Sequence, residues 1–187
     1  MNGYHVAMTQ ALIIVDIQND YFPGGRMELV GSDAAAVEAG RLLRAFRERG
    51  APIFHVQHIS TRPGATFFLP DTDGAKIHES VAPLASETII TKHFPNSFRE
   101  TTLLEKLRAA KIDQLAIAGM MTHMCIDATT RAAADLGFQC TVAHDACATR
   151  DLSFGGSKVA AKDVHTAFIA SLSGAFAKVL PAAEISP

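Results

Sequence analysis

Three residues carry reactive side chains at or just beyond the close of apolar runs: Asp16 in "ALIIVD", Lys92 in "ETIITK" and Cys125 shortly after "LAIAGMMT". A carboxylate ending an apolar run is costly unless it emerges into a polar site. A thiol at the opening of a helix meets unpaired N–H groups and the positive end of the helix dipole, both of which favour a thiolate. Together, a thiol, a carboxylate and a cation make a nucleophile, a proton carrier and an electrostatic anchor. Each alone has a plainer reading. Asp16 then ends in an exposed turn, Lys92 lays its stem along the surface, and Cys125 is a small apolar residue of the core.

The elements that hold these residues decide between the two readings. Ala11 to Ile17, Pro52 to Ile59, Thr88 to Thr91, Gln114 to Gly119 and Gln139 to Ala143 are rich in Ile, Val, Leu and Ala without strict polar alternation, as strands buried on both faces are. Between them, "SDAAAVEAGRLLRAFRERG", with Ser32 or Asp33 as N-cap and Gly50 past its end, and "SFRETTLLEKLRAAK", capped by Ser97, read as helices. A third helix is expected from about His123 to Leu136, stopped by Gly137, and one long last helix after Ser157. This order predicts a doubly wound, three-layer α/β/α fold with a mainly parallel sheet of five to six strands. Such sheets bind ligands outside the carboxyl ends of their strands, where the three residues fall. The segment from Thr61 to Leu84, with Phe67, Phe68 and Leu69 among prolines and glycines, fits an ordered loop over a pocket or a loop packed on itself.

Composition narrows the partners. With 187 residues, 48% hydrophobic and 19% charged, the chain is expected to form a single domain over 1–187, with 1–10 as a flexible amino-terminal extension. A net charge of -2 and scattered Lys and Arg leave no basic stripe, so a small molecule rather than nucleic acid is the expected partner. "MNGYHVAMTQ" has no basic leader and "ALIIV" is too short to span a membrane, so a cytoplasmic protein without membrane contact is expected. Three cysteines, Cys125, Cys140 and Cys147, make an odd count without zinc-site spacing and read as free thiols.

The segments "ALIIVDIQNDYF", "DGAKIHESVAPLASETIITKHFPNSFRETTLLEKLRAAKI" and "LAIAGMMTHMCIDATTRAAADLGFQCTVAHDACAT" together resemble the isochorismatase-like cysteine hydrolase family, over nearly all of Ala11 to Thr149. The resemblance implies a catalytic triad of Asp16, Lys92 and Cys125, a cis peptide bond between Met121 and Thr122, and an oxyanion hole of the Thr122 and Cys125 N–H groups. It implies hydrolysis of a small amide through a thioester, without a cofactor, in a homo-oligomer, dimer or tetramer. A cysteine at this position argues against the enol-ether cleavage for which the family is named. The nicotinamidase branch carries Asp-x-His after the second strand as part of a metal site. This chain reads "HVQHIST", with His58 about where that Asp stands, and no metal is expected. His55 reads as a core histidine.

Substrate contacts are expected from Gln18, Phe22, His58, Phe67, Phe94 and His123, with Gln18 and Asn19 alternatively fastening the loop after the first strand. His123 is also a second candidate for the proton carrier. Asp145 is expected to brace loops, Cys140 and Cys147 to be inert, and His165 to belong to core or subunit interface. Two other classes remain: a thiol-redox enzyme using Cys125 with a resolving cysteine, and a non-catalytic scaffold of the same fold.

Overall fold

In β1 (Gln10–Val15), alternate residues serve opposite cores: Leu12 and Ile14 pack with one cluster, Ala11, Ile13 and Val15 with the other. A strand covered on both faces belongs inside a layered fold. The computed structural model, which describes residues 9–187, places β1 in the middle of a six-stranded sheet. The other strands are β2 (Ile53–His58), β3 (Thr88–Lys92), β4 (Gln114–Met120), β5 (Gln139–Ala148) and, last in the sheet, β8 (Ala177–Leu180). Between β5 and β8 lies a small antiparallel hairpin, β6 (Leu152–Phe154) and β7 (Ser157–Val159). The sheet order is β3-β2-β1-β4-β5-β8, and every pairing within it is parallel.

Helix α1 (Ser32–Glu48) puts Leu42, Leu43 and Phe46 into the first core. On the other face α2 (Leu103–Ala109) contributes Leu103 and Leu107, α3 (Asp127–Asp135) Ala133 and α4 (Ala161–Leu172) Leu172. The sheet order turns back between β1 and β4, and the crevice at such a switch point is where open α/β sheets hold ligands. Gly119 lets β4 pass close to β1: a Cβ there would lie 1.9 Å from the Val15 carbonyl oxygen. No helix among the described residues is long and apolar enough to cross a membrane.

Several boundaries differ from expectation. The long last helix expected after Ser157 is instead strand β7, α4 and strand β8, which pairs with β5 through Cys140↔Ala177 and Val142↔Val179. The run "FAKVL" shows no period that separates strand from helix, and an open sheet edge beside β5 decides it. Ser97 does not cap α2. It is buried, and its hydroxyl shares a 2.7 Å hydrogen bond with Thr129 Oγ1, tying the loop after β3 to α3. Gly31, at φ 78°, holds the N-cap position of α1 in place of Ser32 or Asp33. Of the expected extension, residues 1–8 lie outside the described residues. Thr9 and Gln10 belong to the fold, since the Thr9 N–H donates to Asp113 Oδ1 and Gln10 opens β1.

Candidate active site

Asp16 is the first residue past β1, with φ 52°, in the left-handed region that non-glycine residues enter only where surroundings hold them. Its N–H donates to the Val56 carbonyl at 3.0 Å, and its side chain is fully buried. Lys92 closes β3 in register with His58 on β2, and it too is fully buried. Cys125 lies in a π-helical turn, Thr122–Ile126, between β4 and α3, and is 5% exposed. Three strand ends thus deliver three side chains to one point.

The Lys92 ammonium sits at that point. Its Nζ is 2.7 Å from Asp16 Oδ2, donates to His58 Nδ1 at 2.9 Å and donates to Cys125 Sγ at 3.3 Å. Three partners match the three protons of an ammonium. The Asp16–Lys92 contact has ion-pair distance without hydrogen-bond alignment, so both carboxylate oxygens, although buried, accept no hydrogen bond among the described residues. Oδ1, away from the ion pair, is the one open to a proton.

Burial alone would lower the Lys92 pKa, but the Asp16 carboxylate above all, with the Cys125 sulfur beside it, raises it above its ordinary value, so Lys92 stays an ammonium. Burial pushes the Cys125 thiol well up, and the Asp16 carboxylate adds to this more than Lys92 takes away. The resting sulfur is therefore a neutral thiol, despite the expectation that the helix N-terminus favours a thiolate. Burial, with Lys92 beside it, lowers His58 to about 4, so its imidazole is neutral and accepts from Lys92.

A ligand atom each of Asp16, His58 and Cys125 lies within 4.8 Å of the others, close enough to share a metal ion. The residues nonetheless do not fit one, because the Lys92 ammonium already contacts all three. His55 cannot join them: it is 1% exposed, in the core, with Nε2 2.9 Å from Glu87 Oε2.

Cys125 opens on a cavity of about 400 Å³, of the size that holds a small ligand. His58, Phe67 and Phe94 line it, together with Tyr21, Phe68, Met121 and Met124. Gln18, Phe22 and His123 are not in its wall. Gln18 is buried and clamps the loop: its Nε2 donates to the His58 and Ala75 carbonyls, and its Oε1 accepts from the His58 N–H. Phe22 stacks on His78 at 3.7 Å between ring centroids. His123 bonds Thr149 Oγ1 through Nδ1 and faces Phe168 edge-on. The cis peptide bond joins Met120 and Met121, one residue earlier than expected. Thr122 Oγ1 shares a 2.9 Å hydrogen bond with His165 Nδ1, and Asp145 braces the carboxyl end by accepting from the Ala182 N–H.

Sequence reasoning passed over Tyr21 and Asp20. Asp20 accepts from the N–H of Phe68 at 2.7 Å and of Arg26 at 3.2 Å, and Gly74 packs so tightly on its carboxylate that a Cβ would sit 2.1 Å from Oδ1. A second carboxylate four residues after Asp16 was the available signal.

The parallel sheet with this constellation at its switch point defines an α/β hydrolase of the isochorismatase type. Residues 10–184 match the family model described as an Isochorismatase domain, and the chain belongs to that family. It is 52% identical to the uncharacterized isochorismatase family protein YddQ of Bacillus subtilis, over 92% of this chain and 96% of that one. It is 36% identical to a streptothricin hydrolase of Streptomyces noursei, over 76% of this chain and 51% of that one, and 27% identical to the nicotinamidase of Escherichia coli, over 74% and 82%. The crystal structure of an isochorismatase hydrolase homologue from Oleispira antarctica superposes with a TM-score of 0.91 at 52% identity, covering 97% of this chain and 98% of that one.

Proposed function

We propose that the protein hydrolyses a small amide-type C–N bond through a thioester on Cys125. The observation that carries this is the Lys92 ammonium in contact with both Asp16 and Cys125, whose side chain lines a cavity. A nicotinamidase and a streptothricin hydrolase among the relatives support the reaction class.

The steps follow from the charges. As sulfur attacks the carbonyl carbon, the thiol proton passes to Asp16, so no free thiolate need accumulate. Charge developing on the carbonyl oxygen is met by the backbone N–H groups of Thr122 and Cys125, a kind of donor whose loss typically costs about 3 kcal/mol of barrier. The tetrahedral intermediate collapses, the C–N bond breaks, and Asp16 returns the proton to the leaving amine. Water then attacks the thioester with Asp16 as base, releasing the acid and restoring the thiol. Lys92 holds the carboxylate and offsets charge throughout.

A cytoplasmic homo-oligomer is part of the reading, supported by three free thiols and by Phe154, 90% exposed on the β6–β7 hairpin; light scattering tests the oligomer. Cys125→Ala and Cys125→Ser should abolish ammonia release from a panel of primary amides, ureas and carbamoyl compounds. A slow substrate should leave its acyl mass on the Cys125 peptide. Turnover within a few-fold of wild type in either variant would overturn the mechanism.

A further inference from the structure

Tyr21 follows Asp16 by five residues and stands in the cavity wall with Cys125. It is 2% exposed, and its ring packs on Phe68 at 4.5 Å and Phe67 at 5.9 Å between centroids. Its hydroxyl makes no hydrogen bond among the described residues. Phenylalanine would fill the same space in the cavity wall, so packing does not require the hydroxyl, and it is not among the polar atoms shut away from the cavity without a partner.

We infer that Tyr21 sets substrate specificity: its hydroxyl, the only polar atom of the Tyr21, Phe67 and Phe68 side chains, donates a hydrogen bond to an acceptor on the acyl part of the substrate. Acyl groups with a ring nitrogen or an oxygen within reach are then taken in preference to plain hydrocarbon ones. Donation is the role open to it, because burial first, with the acidic Cys125 and Asp16 groups in the same site, holds the phenol well above its usual value and keeps its proton on. Tyr21 shares the cavity wall with Cys125, and the adjoining phenylalanine rings supply the apolar bed for an aryl-sized body. A site built to hydrogen-bond its substrate discriminates far more sharply than an apolar one, because an analogue lacking the acceptor leaves the donor unpaired.

The inference rests on the proposed nucleophile, and the test separates the two. Benzaldehyde and the three pyridinecarbaldehydes are alike in shape, and each captures a thiol reversibly: sulfur bonds to the carbonyl carbon and the thiol proton moves to its oxygen. Dissociation constants are measured by calorimetry for wild type, Tyr21→Phe and Cys125→Ala. Wild type should prefer at least one pyridine isomer over benzaldehyde by tenfold or more beyond its preference in Tyr21→Phe, about the worth of one good hydrogen bond. Tyr21→Phe should melt no lower than wild type, since the lost hydroxyl held nothing. An equal preference in both proteins, no binding of any aldehyde to wild type, or a clear loss of melting temperature in Tyr21→Phe would overturn the inference. Cys125→Ala binding the aldehydes as tightly as wild type would overturn the nucleophile assignment instead.

Discussion

Lys92 Nζ donates to His58 Nδ1 at 2.9 Å, so the histidine grouped with Asp16 and the thiol is held as a neutral acceptor. A base must take a proton, and this imidazole, lowered to about 4 with an ammonium against it, is poorly suited to do so. His123, the other candidate, is turned to Thr149. Asp16 remains, with Oδ2 paired to Lys92 and Oδ1 without a partner among the described residues.

Asp16→Asn should therefore cut kcat by about 10²- to 10⁴-fold. The same change removes a charge that holds the thiol pKa up and leaves Lys92, which lowers it. Alkylation of Cys125 by iodoacetamide at pH 7 should become faster in the variant, while hydrolysis becomes slower. Slower alkylation together with slower hydrolysis would count against the assignment, and a larger kcat loss in His123→Asn would move the proton to a cysteine–histidine pair.

Acid should loosen the fold before it titrates the site. His58 binds its proton only near pH 4 in the native state but near its ordinary value when unfolded, so between these the unfolded chain holds more protons and stability falls as pH falls. Glu87, held at about 2 by Arg47 first, acts in the same direction below its ordinary range. Melting temperature should decline steadily from pH 6.5 to 4, and His58→Gln should flatten the upper part of that slope. A melting temperature independent of pH over this window would contradict the half-buried neutral imidazole.

Prolonged chelation should leave turnover unchanged, because the position that a metal would share among Asp16, His58 and Cys125 is filled by the ammonium. Activity lost to chelator and restored by zinc, iron or manganese would show that Lys92 can be displaced.

Peroxide should not link the cysteines. Burial pushes Cys140 and Cys147 to about 12 each, and their sulfurs donate to the Phe138 and Ala143 carbonyls. Peptide mass spectra after peroxide should contain no disulfide joining Cys125 to either; finding one would revive a redox role.

Asp20→Ala should raise KM more than it lowers kcat, since the carboxylate holds Phe68 in the cavity wall and touches no reacting atom. Stability should fall by about 1–3 kcal/mol as the Phe68 and Arg26 N–H groups lose their acceptor.

What was legible in the sequence is what local chemistry determines. Apolar runs without alternation announced buried parallel strands, and a reactive residue closing or closely following each of three runs announced a site at the sheet's carboxyl edge. The resemblance then tied Asp16, Lys92 and Cys125 together. Contacts between distant segments lay beyond it. That "FAKVL" is a strand depends on an open edge beside β5, that Gln18 clamps a loop depends on β1 lying beside β2, and that His58 takes the third proton of Lys92 depends on β2 and β3 lying in register. The protonation of Cys125 was undetermined for the same reason: a helix N-terminus is visible in a sequence, whereas burial and a carboxylate 109 positions upstream become its neighbours only when the chain has folded.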